Sequence, residues 1–179
     1  MVYLFLADGF EEMEALVTVD MLRRAKVEVT TVGVGKLRII GAHNICVTAD
    51  VLDVQCDFSD MDAVILPGGM PGTLHLEQSF IVQRTLDTAL QYDVLIAAIC
   101  AAPSILGKRG MLRGKCATCF PEFEQFLDGA DVITDSVVVD SHIITAKGAG
   151  VAIEFAYAII TALCGEECAK NVKEAMQCK

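Results

Sequence analysis

A continuous apolar run over residues 94–99, followed at once by Cys100, constrains the fold of this chain more than any other feature. Such a run is typical of a parallel strand that is buried on both faces. Small residues follow the cysteine, and Pro103 suits the first turn of a helix. A strand that turns sharply into a helix forms a nucleophile elbow, which pushes the junction side chain out of the sheet. We therefore interpret Cys100 as a reactive thiol near a helix N-terminus, where the thiolate is favoured. The alternative is an inert, buried structural cysteine.

Strand-like and helix-like segments alternate along the whole chain. This alternation is typical of a mainly parallel sheet with helices on both faces, so the sequence predicts one α/β domain over residues 1–179. Ligands in such folds bind beyond the carboxyl ends of the strands. The predicted strands are 2–7, 27–34, 37–40, 45–49, 63–66, 94–99, 116–119, 137–139 and 143–146. The predicted helices are 11–25, 80–90, 104–109, 121–127, 151–163 and 166–176.

Composition limits the class of protein. The chain has 179 residues, of which 54% are hydrophobic and 21% are charged, enough for a sizeable core. A net charge of −10 without a Lys/Arg cluster disfavours nucleic-acid binding. No segment has the length and apolarity of a signal peptide or a membrane span, so a cytoplasmic protein is expected. In that reducing compartment most of the eight cysteines are expected to be free thiols.

Two further loops are expected beside Cys100. The tripeptide Pro67-Gly68-Gly69 ends a predicted strand, and the N–H groups of Gly69 and Ala101 are candidates for an oxyanion hole. An ordinary turn is the alternative explanation of the glycines. Glu14 lies in the first turns of a predicted helix, where its carboxyl can face the same crevice. A carboxyl buried beside a thiolate would hold a proton, donate a hydrogen bond and act as a proton shuttle.

A Cys–His dyad is the alternative way to activate the thiol. His75 follows the glycine turn and is the histidine placed nearest to it in sequence. His43 and His142 fall in predicted hairpin turns. Surface or capping positions are the more ordinary interpretation of all three.

Cys116 and Cys119 form a Cys-x-x-Cys pair, a pattern found in redox sites and in half of a zinc site. Phe120 and Pro121 separate the pair from the next predicted helix, and no Cys/His quartet has finger-like spacing. We therefore expect no metal and no cofactor. Cys119 remains a residue that can lie near Cys100.

These motifs resemble the ThiJ/PfpI superfamily, in its protein-deglycase branch, the branch of the Parkinson-disease-associated protein. The resemblance covers essentially the whole chain, through residues 9–14, 66–69, 97–103, 117–121, 144–150 and 154–156. It implies a flavodoxin-like three-layer α/β/α sandwich and a homodimer. It also implies that Cys100 is the nucleophile and an oxidation-sensitive thiol, that Glu14 is its hydrogen-bonded partner, and that Gly69 and Ala101 are N–H donors.

Two departures from the family pattern bear on activity. The peptidase branch has a histidine directly after its cysteine, where this chain has Ala101, so peptidase activity is not expected. Some members of the deglycase branch have the sequence Thr-Thr-His-Pro near the thiol. The matching segment here is Thr118-Cys119-Phe120-Pro121, so assistance from that histidine is not expected either.

Three functions follow from the resemblance and the residues. The favoured one is a cysteine-dependent, stress-protective enzyme of the glutathione-independent glyoxalase or deglycase type, acting on reactive dicarbonyls or their early adducts. A redox sensor or chaperone-like protein that acts through oxidation of Cys100 is the second. A non-catalytic structural dimer, in which Cys100 is inert, is the third.

Overall fold

The computed structural model describes residues 1–178, and Lys179, the last residue of the predicted domain, lies outside them. The strands are β1 (Val2–Leu6), β2 (Val29–Gly33), β3 (Arg38–Ile40), β4 (Cys46–Thr48), β5 (Val51–Leu52), β6 (Ala63–Leu66), β7 (Leu95–Ile99), β8 (Cys116–Ala117), β9 (Asp131–Val132), β10 (Val137–Asp140) and β11 (Ile143–Ala146). The helices are α1 (Glu12–Arg24), α2 (Gly72–Gln78), α3 (Phe80–Gln91), α4 (Pro103–Lys108), α5 (Ala152–Cys164) and α6 (Glu166–Ala175).

A seven-stranded sheet in the order β10-β11-β7-β6-β1-β2-β5 forms the centre of the molecule. Its neighbouring strands are parallel except for β10, which is antiparallel to β11. The pairs β3–β4 and β8–β9 lie outside this sheet. No helix within residues 1–178 is long and apolar enough to cross a membrane.

Helices cover both faces of the sheet because successive strand side chains point to opposite sides. In β1, Leu4 and Leu6 belong to the core cluster that contains α1, α5 and α6 residues, whereas Tyr3 and Phe5 belong to the cluster that contains α3 and α4 residues. This confirms the predicted flavodoxin-like α/β fold with a mainly parallel sheet.

The structure corrects the prediction around the Cys-x-x-Cys segment. Residues 121–127 do not form a helix, and only a 3₁₀ turn, Glu124–Phe126, occurs there. Glu122 has a φ of 77°, which lies in the left-handed region and stops a helix from starting at Pro121. The predicted strand 116–119 is shorter, because the Thr118 N–H donates to the side-chain hydroxyl of Thr145 in β11 rather than to a backbone carbonyl.

Three short elements were not predicted: α2, β5 and β9. Helix α2 begins at Gly72, directly after Pro71. It was not predicted, because a Pro-Gly pair is typical of a turn. The strands β5 and β9 have two residues each, too few for a period to be recognised.

The carboxyl ends of the central parallel strands β1, β6 and β7 lie at one edge of the sheet. Glu14 follows β1, the glycine turn follows β6, and Cys100 follows β7 directly. The topology therefore brings the three predicted loops to the same edge, as expected for ligand sites in open α/β sheets.

Candidate active site

Cys100 occupies a sharp turn between β7 and α4. Its φ of 65° lies in the left-handed region, which is unfavourable for a residue with a Cβ atom and common at functional sites. Two backbone hydrogen bonds hold it there: the Cys100 N–H donates to Ala146 O at 2.8 Å, and the Phe120 N–H donates to Cys100 O at 2.8 Å. The elbow geometry is thus as predicted, with the thiol half-buried.

Backbone donors approach the sulfur from two loops. The backbone N–H groups of Gly69 and Ala101 act to lower the pKa of the Cys100 thiol. Gly69 has a φ of 89°, and a Cβ atom there would collide with Glu11 N and Gly9 O. Only glycine therefore fits this close approach of the two loops.

Glu14 is almost fully buried and lies on the other side of Gly68. Its Oε2 accepts a hydrogen bond from the Gly68 N–H at 2.7 Å, whereas Oε1 has no hydrogen-bond partner among residues 1–178. A Cβ atom on Gly68 would lie 2.6 Å from Cys100 Cβ and 2.7 Å from Glu14 Oε2. The missing side chain of Gly68 is thus what lets the carboxyl and the thiol meet, with Oε1 left to carry a proton.

The two groups influence each other's protonation. Burial raises the pKa of Glu14 to about 7, although the Gly68 N–H and the Cys100 thiol act in the opposite direction. Burial and the negative charge of Glu14 raise the pKa of Cys100 to about 12, against the N–H groups of Gly69 and Ala101. The site therefore loses its first proton near pH 7 and its second only at high pH.

This result corrects one expectation. The helix N-terminus was predicted to lower the pKa of Cys100, but burial and the neighbouring carboxylate outweigh that effect once Glu14 is ionised. Above about pH 7 the pair carries one negative charge and one proton. Cys100 is a thiolate only when the remaining proton is on Glu14. The N–H groups of Gly69 and Ala101 favour this arrangement, because they stabilise negative charge on the sulfur.

The histidines lie elsewhere. His75 is exposed, and its Nδ1 lies 2.8 Å from Asp8 O. His142 Nδ1 lies 3.7 Å from an Asp93 carboxylate oxygen. The ring of His43 bonds to a glutamate of α1 (Glu12). No hydrogen bond in residues 1–178 joins a histidine to Cys100, so the Cys–His dyad is not formed.

Cys119 is buried on the other face of the sheet. It belongs to the core cluster of α3 and α4, whereas Cys100 packs against the cluster of α1 and α5. Burial and the charge of Glu124 raise the pKa of Cys119 to about 11. Cys116 is exposed and is a free thiol like Cys119. No hydrogen bond among residues 1–178 joins the side chain of Cys116 or Cys119 to Cys100 or Glu14.

Glu12 has a role that its sequence position does not reveal. Its buried carboxylate accepts a hydrogen bond from the His43 N–H at 2.8 Å and lies 2.8 Å from His43 Nδ1. Burial raises the pKa of Glu12, but the bonds from His43 and Ile45 outweigh it and lower the pKa overall. Ligand atoms of Glu11, Glu12 and His43 lie within 4.8 Å of one another. The hydrogen bonds that fasten the β3–β4 loop to α1 account for this cluster without an ion.

Phe120 and Gly148 complete the surroundings of the sulfur. A Cβ atom built on Gly148 would lie 3.3 Å from Phe120 Cδ2 and 3.9 Å from Cys100 Sγ. Sequence reasoning did not predict this contact, because the three residues come from different loops. The one available signal was that Phe120 stands in the segment where some family members have a histidine.

Comparisons with known proteins agree with the geometry. A sequence profile of the DJ-1/PfpI family matches residues 1–162. The chain is 36% identical to Protein dj-1beta of Drosophila melanogaster over 174 residues, which cover 96% of this chain and 93% of the fly protein. It is 31% identical to the glutathione-independent glyoxalase DJR-1.2 of Caenorhabditis elegans over 158 residues, or 88% and 84% of the two chains. Oxidized DJ-1 of Toxoplasma gondii superposes with a TM-score of 0.95 at 32% identity, covering 99% of this chain and 97% of that one.

Proposed function

Since the chain belongs to the DJ-1/PfpI family, we propose that it is a cysteine-dependent, stress-protective enzyme of the glutathione-independent glyoxalase or deglycase type. Its substrates are reactive dicarbonyls or their early adducts. The observation that carries this proposal is the arrangement around Cys100 Sγ, which combines two backbone N–H donors with a buried carboxyl whose Oε1 is unpartnered. The name of the nematode relative, a glutathione-independent glyoxalase, supports the same reaction class.

In the first step the Cys100 sulfur adds to the aldehyde carbon of the dicarbonyl. The new S–C bond forms as the carbonyl π electrons move to oxygen, where the Gly69 and Ala101 N–H groups stabilise the negative charge. The proton held by Glu14 then moves to this oxygen. The product is a hemithioacetal beside an ionised Glu14 carboxylate.

In the second step Glu14 moves a proton between adjacent carbons. The carboxylate removes the hydrogen of the former aldehyde carbon and returns it to the neighbouring carbon, while the hydroxyl proton passes from the first oxygen to the second. The hemithioacetal thus becomes a thioester of a 2-hydroxy acid with no change in composition. Water then hydrolyses the thioester, releasing the 2-hydroxy acid and restoring the thiol.

A redox role through the same thiol is the second candidate. Peroxide would convert the Cys100 thiolate to a sulfenic and then a sulfinic acid. The two N–H donors and a proton on Glu14 Oε1 are suited to bind the new oxygens. The similarity to a protein solved in an oxidized form, DJ-1 of Toxoplasma gondii, supports this second candidate. It does not exclude catalysis, because both functions use one polarised thiol.

We also propose that the protein acts as a homodimer. Met13 is 55% exposed and Leu16 is 36% exposed on α1, so this helix has apolar surface available for a second copy. The α1 helix also carries Glu14, so a dimer contact there would lie close to the candidate site. A purely structural dimer with an inert Cys100 is the competing possibility.

Formation of lactate from methylglyoxal without glutathione tests the proposed reaction. Cys100→Ser should reduce turnover at least about a hundredfold, because an alcohol is a far weaker nucleophile than a thiolate at neutral pH. Cys116→Ser, at an exposed cysteine outside the site, is the matched control and should retain wild-type turnover. Equal turnover by wild type and Cys100→Ser would refute the mechanism.

A further inference from the structure

The corner between α5 and α6 brings two cysteines together. Helix α5 ends at Cys164 and α6 begins at Glu166, so Gly165 alone separates the two helices. Gly165 has a φ of 86°, a left-handed conformation that allows this sharp turn. Cys168 lies in the first turn of α6. Both cysteines are free thiols, and the proposed reaction uses neither of them.

Side-chain contacts make the two thiols neighbours. The Cys168 thiol donates to the backbone oxygen of Ala25, the C-cap residue of α1, at 3.9 Å. Burial is the largest cause of the raised pKa of Cys164, and the Cys168 side chain adds to it by its charge and by hydrogen bonding. These effects act over short distances, so rotation of the two side chains can bring the sulfurs to bonding distance.

Both thiols line one open cavity of about 670 Å³. Ligand sites in proteins have volumes of about 300–1,000 Å³, so this cavity can hold a small molecule. Its charged lining consists of Arg24, Lys26 and Glu167. Positive side chains thus outnumber negative ones here, although the whole chain has a net charge of −10. The cavity therefore favours a ligand with carboxylate groups.

We propose that Cys164 and Cys168 form a second redox site, which becomes a reversible disulfide by exchange with a low-molecular-weight disulfide that carries carboxylate groups. The two neighbouring thiols supply the attacking and the resolving sulfur. The cavity admits the small disulfide, and Arg24 and Lys26 attract its carboxylates. This site works without Cys100 and without the proposed glyoxalase-type reaction.

The exchange takes place in two steps that conserve electrons. The thiolate of Cys164, the more exposed of the two, attacks one sulfur of the small disulfide. A mixed S–S bond forms, the original S–S bond breaks, and one small thiolate leaves. The Cys168 thiolate then attacks the Cys164 sulfur, and the second small thiolate leaves. The protein loses two electrons and two protons, and the small disulfide gains them to become two thiols.

The position of the pair favours an exchangeable disulfide over a structural one. The bond would close a loop of only a few residues, so it would restrict the unfolded chain little and would add little stability. Cys164 is exposed and Cys168 is half-buried, so a reducing thiol can reach the bond from the cavity. Small thiols can therefore break the bond as well as form it.

Equilibration of the reduced protein with mixtures of oxidised and reduced glutathione tests the proposal. Trypsin releases both cysteines in one peptide, residues 148–170, so the disulfide appears as the loss of two hydrogen atoms and of both alkylation sites. We expect this peptide to become a disulfide as the share of oxidised glutathione rises, and to return to a dithiol in excess reduced glutathione. Cys168→Ser, which lacks the resolving sulfur, should instead accumulate the mixed disulfide at Cys164. A wild-type peptide that stays a dithiol, or that forms only mixed disulfides, would overturn the proposal.

Cys100→Ser distinguishes this site from the proposed function. The variant should lose dicarbonyl turnover, yet it should form the disulfide in residues 148–170 to the wild-type extent. If the wild type turns over no dicarbonyl but forms this disulfide, the glyoxalase-type reaction is wrong and the second redox site stands. A disulfide that forms only when Cys100 is present would refute an independent site.

Lys26→Gln tests the role of the positive lining. Removing this charge should slow the exchange with oxidised glutathione about threefold, in line with the strength of exposed ion pairs. The rate with the neutral 2-hydroxyethyl disulfide should stay at the wild-type value. Lys173→Gln, on α6 but outside the cavity lining, is the matched control and should leave both rates unchanged. Equal rates of exchange with oxidised glutathione in wild type and Lys26→Gln would overturn the selection of carboxylates.

Discussion

Gly68 donates its backbone N–H to Glu14 Oε2 at 2.7 Å, and its missing side chain leaves the gap through which that carboxyl reaches Cys100. The same residue thus orients the carboxyl by its N–H group and admits it by its small size. It also occupies one oxygen of Glu14, so the other oxygen is left to exchange a proton with the site.

Gly68→Ala should disable the site. The added Cβ would lie 2.6 Å from Cys100 Cβ, 2.7 Å from Glu14 Oε2 and 2.9 Å from Ile99 O. Cys100 Cβ belongs to the sharp turn and Ile99 O to the buried strand before it, so neither atom can easily move away. We expect glyoxalase turnover to fall at least about tenfold, because a small displacement of catalytic groups has a large effect on rate. Thermal unfolding should also occur at a lower temperature.

The matched control for this substitution is Gly150→Ala. A Cβ atom at Gly150 would meet no atom within 4 Å, so turnover and unfolding temperature should stay at wild-type values. If Gly68→Ala behaved like Gly150→Ala, the close approach at Gly68 would have no functional role.

The raised pKa of Glu14 makes protein stability depend on pH. Its pKa is about 7 in the folded protein and 4.5 in the reference state, so between these values the folded protein retains a proton that the unfolded chain has lost. Raising the pH from 4.5 to 7 should therefore lower the free energy of unfolding, by about 3 kcal/mol from this group. Above pH 7 this contribution should not change further.

Urea unfolding of wild type and Glu14→Gln across this pH range measures the contribution. As the pH rises, the wild type should lose about 3 kcal/mol of unfolding free energy relative to Glu14→Gln, which has no carboxyl to titrate at this position. A difference that is constant with pH would mean that Glu14 ionises in the folded protein as it does in water.

Glu12→Ala should destabilise the protein without removing any group of the candidate site. The substitution leaves the His43 backbone N–H without its acceptor and deletes a buried carboxylate that fastens the β3–β4 loop. We expect a loss of about 2 kcal/mol in unfolding free energy. Chemical denaturation measures it.

Asp20→Ala is the comparison, because Asp20 forms an exposed ion pair with Arg24 on the same helix. Its loss should cost less than about 1 kcal/mol. If both substitutions had the same small effect, the Glu12–His43 contact would not fasten the loop.

The sequence predicts the parts of the site that are local. The apolar run, Cys100 and Pro103 predict the elbow because the whole turn lies within a few residues. Glu14 is predicted from its place in the first turns of a helix. The contact between Phe120 and Gly148 joins loops that are far apart in sequence, and no local pattern reports it.

Two further differences also have non-local causes. Residues 121–127 begin with proline and have a helix-like pattern, yet the positive φ of Glu122 and the bond from Phe120 N–H to Cys100 O hold this segment in a loop. The prediction for the pKa of Cys100 was wrong because burial and the Glu14 carboxylate, which comes from helix α1, outweigh the helix N-terminus.

We propose that Glu14 and Cys100 share one proton, so that the thiol becomes reactive near neutral pH. The most direct test is the rate at which Cys100 reacts with iodoacetamide as a function of pH, in wild type and in Glu14→Gln. We expect a rise in rate with a midpoint near pH 7 in wild type, where the pair loses its first proton. In Glu14→Gln the midpoint should move above the ordinary thiol value of about 8.5, because burial remains and the proton-accepting carboxyl is gone. The same midpoint in both proteins, at or above 8.5, would contradict the claim.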